Sequence, residues 1–149
     1  MTAAVTGDRP YADASEVMRL VTGFEERTLT RAEWTHRAHL TVALWYATRH
    51  APAEALDRVR TGILGLNAAL GVVTTPTGGY HETITCFYMR VVGGFLREDG
   101  GGGDLAELAN RLVQRYGDRS LPRRHYSEQL LWSPAARVGW VEPDLVRLP

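Results

Sequence analysis

Apolar positions recur along this chain at helical spacing, and nowhere does a strong hairpin signal interrupt them. In "DASEVMRLVTGFEERTL", Val17, Leu20, Val21 and Phe24 fall on one helical face, with Asp13 or Ser15 available as cap. A second helix begins either near Thr30, whose spacing to Glu33 is that of a capping box, or one turn later with Thr35 as cap. It runs through "HLTVALWYATRH" and stops at "HAPAEA", where Pro52 suits the first turn of a third helix. That third helix carries Leu56, Val59, Ile63, Leu66 and Leu70 on one stripe, and Gly71 is its natural stop.

"GVVTTPTGG" reads as a loop. The following "YHETITCFYMRVVGGFLRE" is apolar enough to pass for a strand, but its length and its Glu, Met, Arg and Leu content favour a buried helix. Gly93 and Gly94 weaken that helix and are expected to let a neighbouring helix approach closely. After the "DGGGGD" link, Asp104 and Glu107 open a helix with the stripe Leu105, Leu108, Leu112 and Tyr116, closed by Gly117. The remainder is broken by prolines into short turns and an extended tail. The pattern therefore predicts an all-α fold: a compact single-domain bundle of about five helices with an irregular C-terminal segment packed on it. Residues 1–12 are expected to form a flexible tail and 13–149 the helical domain.

Composition narrows the partners. At 149 residues the chain is long enough for a hydrophobic core without disulfides or a structural metal. Its formal net charge is zero, its arginines are interspersed with acids and no aromatic stacking platform is evident, so nucleic acid is disfavoured. No apolar run approaches a membrane span, and the polar opening lacks a signal core. The single cysteine, Cys86, fits a reducing compartment, so a cytoplasmic location is expected. All 17 basic residues are arginines, which removes Schiff-base and P-loop lysine chemistry. Homodimerisation through an apolar helix face is compatible with a bundle this small, and the sequence does not decide it.

Candidate chemistry lies in "EWTHRAHL" and "GYHETITCFY". His36 and His39 are three apart, so a helix presents both imidazoles to one side. Glu33 is offset around that helix and suits a supporting role. His81 shares its face with Thr85 and Tyr88. Glu82 points about 100° away, yet near a helix start both long side chains can converge on one point. Three imidazoles and a carboxylate are a ligand set for zinc, iron, copper or manganese, so His36, His39, His81 and Glu82 are the candidate metal ligands. The plainer alternative is that each histidine satisfies a local hydrogen bond and that Glu82 merely favours the start of its helix. Co-location in two strongly apolar segments argues for a shared polar site, because buried imidazoles need partners. Among the weaker candidates, His50 suits a helix C-terminus, and Ser127 a cap. Cys86 reads as an inert core thiol, and Trp34 as a pocket wall. His125 or Tyr126 would contribute only if the C-terminal segment folds over the bundle end. Arg137 either binds a substrate carboxylate or pairs with Glu142 or Asp144.

"THRAHL", "YHETIT", "YSEQLLWSPAAR" and "EPDL" together resemble a group of small uncharacterised bacterial helical proteins, built around a Thr-His-x-x-His-Leu helix and a Tyr-His-Glu-Thr-x-Thr helix. The similarity spans about residues 30–145. It implies a site drawn from His36, His39, Tyr80, His81, Glu82, Thr83, Thr85, Tyr126, Ser127 and Arg137, and it implies no reaction. The expected function is a small cytoplasmic enzyme acting on a small molecule, with Glu82, His81, Tyr126 and Arg137 as catalytic candidates and a divalent transition metal as cofactor. The competing expectations are a metal-free His/Glu acid–base enzyme of isomerase, dehydratase or cyclase type, a non-catalytic ligand- or metal-binding module, and a purely structural histidine cluster.

Overall fold

The computed structural model describes residues 9–149, and its regular elements are all helical. Helix α1 (Ala14–Glu26) starts where the Asp13 carboxylate accepts the Glu16 amide, and it ends at Arg27, which takes a left-handed φ of 61°. Of the two starts open to the next helix, Thr35 is the one used, its hydroxyl accepting the Ala38 amide at the head of α2 (His36–Arg49). Thr30 and Glu33 still make both reciprocal capping bonds, but around a single turn that precedes the helix. Pro52 opens α3 (Pro52–Ala69), and Gly71, at φ 73°, follows its end.

Helix α4 (Glu82–Asp99) is capped by His81, whose ring nitrogen accepts the Ile84 amide, and closed by left-handed Gly100. Asp104 caps α5 (Leu105–Tyr116). The C-terminal segment then forms a 3-10 turn (Leu121–Arg124), α6 (Glu128–Leu131) capped by Ser127, and α7 (Pro134–Val138) capped by Ser133. Short polar caps thus mark nearly every start, as the spacing predicts.

Helix α2 lies at the centre, packed by α1, α3, α4 and α5. It is accordingly apolar around most of its circumference, with Leu40, Val42, Ala43, Leu44 and Tyr46 all buried. One core forms around Val17, Val21, Leu44, Val92, Phe95 and Leu112, and another around Phe24, Val42, Tyr46, Val59 and Leu66. A third, smaller cluster of Phe87, Tyr126 and Leu131 fastens the C-terminal segment to α4. The molecule is a helical bundle with an irregular segment covering one side, as expected.

Two details depart from expectation. The close helix approach occurs at Gly62, where an added Cβ would stand 2.2 Å from the Phe24 ring, so α1 and α3 need a residue without a side chain there. At Gly93 and Gly94 a Cβ would meet only the Arg97 guanidinium, at 3.6 and 3.7 Å. Residues 1–8 of the expected tail lie outside the described residues. Within them Tyr11 is already anchored: its side chain is buried, its hydroxyl shares a hydrogen bond with Thr41, and its backbone exchanges two bonds with the Asn110 amide. No helix among the described residues is long and apolar enough to cross a membrane.

Candidate functional site

The head of α2, the middle of α3, the first half of α4 and the end of α5 leave a cleft of about 670 Å³ between them. Leu40, Ala43, Val59, Ile63, Ile84, Met89 and Val113 give it an apolar lining, while His36, His39, Thr85 and Tyr88 supply polar groups. Arg31, Arg37 and Arg119 complete the wall. The volume and the mixture of apolar surface with a few polar groups suit a small organic molecule.

His39 donates from Nδ1 to the Thr35 carbonyl at 2.8 Å. Nε2 then carries the lone pair, and it has no hydrogen-bond partner among the described residues. Trp34 lies against the ring at a centroid distance of 3.9 Å. Burial lowers the His39 pKa to about 4, outweighing the stabilising Thr35 carbonyl. One turn back, the Tyr116 backbone lies near His36 and favours its charged form, while the His36 Nε2 is buried with no hydrogen-bond partner among the described residues. Tyr88 meets this ring edge-on at 5.0 Å. Burial also lowers the His36 pKa, and Arg119 pushes both histidines further the same way. At neutral pH the cleft therefore holds two uncharged imidazoles: His39, anchored through Nδ1, and His36, whose buried Nε2 has no partner among the described residues.

The histidine on α4 is arranged differently. His81 is 7% exposed, and both its nitrogens are engaged: Nδ1 accepts the Ile84 amide at 3.1 Å and Nε2 donates to the Leu131 carbonyl at 2.6 Å. Burial keeps it neutral. Glu82 receives two bonds from Arg60, Nε at 2.9 Å and Nη2 at 2.5 Å, together with the Tyr80 hydroxyl. Arg60 holds its carboxyl below the usual carboxylate range. The nearby Cys86 thiol is pushed up to about 11 by burial and the adjacent carboxylate, as suits an inert thiol.

The remaining residues of the two motifs tie segments together. Thr83 donates to the Gly139 carbonyl and accepts the Val141 amide, and Tyr126, fully buried, donates to the Val141 carbonyl. Arg137 is 6% exposed and donates to the carbonyls of Pro76, Gly79 and Tyr80, so it clamps the loop before α4 instead of pairing with Glu142 or Asp144. Asp144 instead accepts the Ser127 amide. His125 donates to the Val146 carbonyl, and His50 lies 3.6 Å from Glu54 at the end of α2. From the Tyr-His-Glu-Thr-x-Thr motif, Ile84 and Thr85 join the cleft lining, with Thr85 donating to the His81 carbonyl.

The structure thus brings His36 and His39 together at the cleft, while His81 and Glu82 are not part of its lining. Among the described residues no three His, Cys, Asp or Glu side chains gather as a group that could hold a metal ion. Sequence reasoning gave no role to Arg60, Tyr88 or Arg119. Helical spacing places Tyr88 on one face with Thr85 and signals its position though not its role, but Arg119 sits in an aperiodic turn that carries no such signal. Comparison with known proteins adds nothing further: no family model matches the chain, and no curated protein or solved structure does.

Proposed function

We propose that the chain binds a small organic molecule in this cleft and acts on it as an enzyme, with His36 and His39 as the proton- or hydrogen-bond-accepting groups. The observation that carries this reading is the buried, unpartnered Nε2 of His36 beside a largely apolar cavity, with the His39 ring, held through Nδ1, in the same wall. A buried acceptor without a partner costs about 1–3 kcal/mol, and a ligand hydroxyl or N–H would remove that cost. His39, with its pKa near 4, suits an acceptor of hydrogen bonds more than of protons. His36, whose buried Nε2 has no partner, is the better base. Burial raises the Tyr88 hydroxyl well above its ordinary value, so Tyr88 serves as a donor. Moving a proton within one substrate, as in isomerisation, dehydration or cyclisation, fits this equipment.

A thermal-shift screen of small metabolites tests it, run on the wild type and on the His36→Ala, His39→Ala double variant, with turnover of each hit followed by NMR. Hits that stabilise the wild type, fail with the folded double variant and turn over support the proposal. Hits that bind without turnover leave a binding module. Hits indifferent to the double substitution exclude the pair as the site.

A second reading keeps the metal. Metal-binding histidines commonly anchor one nitrogen on a carbonyl and offer the other, which is the arrangement at His39. Zinc, iron, copper or manganese on two imidazoles would draw its other positions from water or substrate. His81 and Glu82 would join only by giving up Leu131 and Arg60. Near-stoichiometric metal that disappears in the double variant would favour this reading, and no uptake on reconstitution would sink it. A cytoplasmic setting belongs to the proposal on the strength of the single cysteine.

A further inference from the structure

A second cavity, of about 400 Å³, shares His36, Ile84, Tyr88 and Arg119 with the cleft and continues it toward Arg123 and Trp132. Neither lining contains an aspartate or glutamate, although the chain as a whole balances 17 acidic against 17 basic residues. Most of the arginines around the two cavities are engaged. Arg31 donates to the Leu70 carbonyl, Arg37 lies over the Tyr11 ring, and Arg123 stands 3.5 Å from Glu128. Arg119 is the exception: it lines both cavities and makes no hydrogen bond or ion pair among the described residues. The neighbouring Asp118 carboxylate lies outside both linings, accepts from Ser120 and stands 3.7 Å from Arg124, which offsets the charge it presents to His36 and Tyr88.

We propose that this double cavity takes a small organic anion, a carboxylate or a phosphate monoester carried on an apolar body. Arg119 receives the anionic group, for which a guanidinium offers paired donors. The apolar body occupies the lobe between α2, α3, α4 and α5. His36, in the wall common to both cavities, accepts a hydrogen bond from a donor between the two ends of the molecule. The assignment rests on reading the cleft as a ligand site and adds its charge preference. Because Arg119 is solvent-exposed, the preference is moderate, about tenfold, and weakens with salt.

Calorimetric titration with 4-phenylbutyrate, 4-phenylbutyl phosphate, 4-phenylbutanol and 4-phenylbutylamine tests it, on the wild type, Arg119→Gln and Ile63→Trp, each checked for an intact melting transition. The expected result is that one or both anions bind about tenfold tighter than the alcohol, with the amine weakest. Whichever anion leads identifies the group preferred. Arg119→Gln should bring the anions down to the level of the alcohol and leave the alcohol unchanged, and Ile63→Trp should weaken all four. Equal binding of anion and alcohol, tightest binding of the amine, or anion binding indifferent to Arg119→Gln would overturn the charge assignment and leave the small-molecule site standing. Failure of all four to bind would count against both.

Discussion

An imidazole has two nitrogens, and the partner of one decides what the other can do. His81 uses both, capping α4 and reaching the Leu131 carbonyl, so its role is to join the head of α4 to the C-terminal segment. His81→Ala should lower stability by about 2–3 kcal/mol, the sum of a lost cap and a lost buried hydrogen bond. His81→Asn should recover only the cap, and urea denaturation of the three proteins would show the order. His39 gives a pH prediction of definite sign. Its folded pKa lies below the ordinary 6.5, so the unfolded chain takes up the proton first as pH falls. The associated stability is complete above about pH 6.5 and is lost down to about pH 4, by at most about 3 kcal/mol. His36 and His81 act in the same direction. Glu82, held low by Arg60, adds stability that is present above its ordinary value and disappears only at lower pH, so the two effects separate. Denaturation midpoints should therefore fall between about pH 7.5 and about pH 5, and His39→Gln should flatten that slope.

Among the elements, the starts of the helices were the most legible part of the sequence, because a cap is a local bond between residues two or three apart. Asp13, Thr35, Asp104 and Ser127 all cap where the spacing places them. Glycine was less legible. The same residue weakens a helix in isolation and allows close packing in context, and only tertiary structure decides between these. Gly62→Ala is expected to destabilise by about 1–3 kcal/mol, since its Cβ would collide with the Phe24 ring. Gly94→Ala, facing only the movable Arg97 side chain, should stabilise by up to about 1 kcal/mol through helix propensity alone. Thermal melts of the two variants should move in opposite directions. Equal losses would mean that α4 packs more tightly at Gly94 than the geometry shows.

At the scale of the molecule, the cleft exists because four helices converge on the head of α2, and half of the candidate site was readable from that helix alone. The three-residue spacing of His36 and His39 puts both rings on one side, and they meet there. The other half was hidden by distance along the chain. His81 is paired with a carbonyl fifty residues later, and Glu82 with an arginine twenty-two residues earlier, so their shared apolar setting gave no sign of where their bonds would go. The resulting division, two open imidazoles in the cleft and one closed imidazole in the scaffold, carries the functional proposal. Long-range proton–nitrogen correlation of the histidine side chains at neutral pH, assigned with single-histidine variants, tests it most directly. The account predicts three neutral rings, with His39 protonated at Nδ1 and His81 at Nε2. Protonation of His39 at Nε2, or a positive charge on His36 or His39, would contradict it.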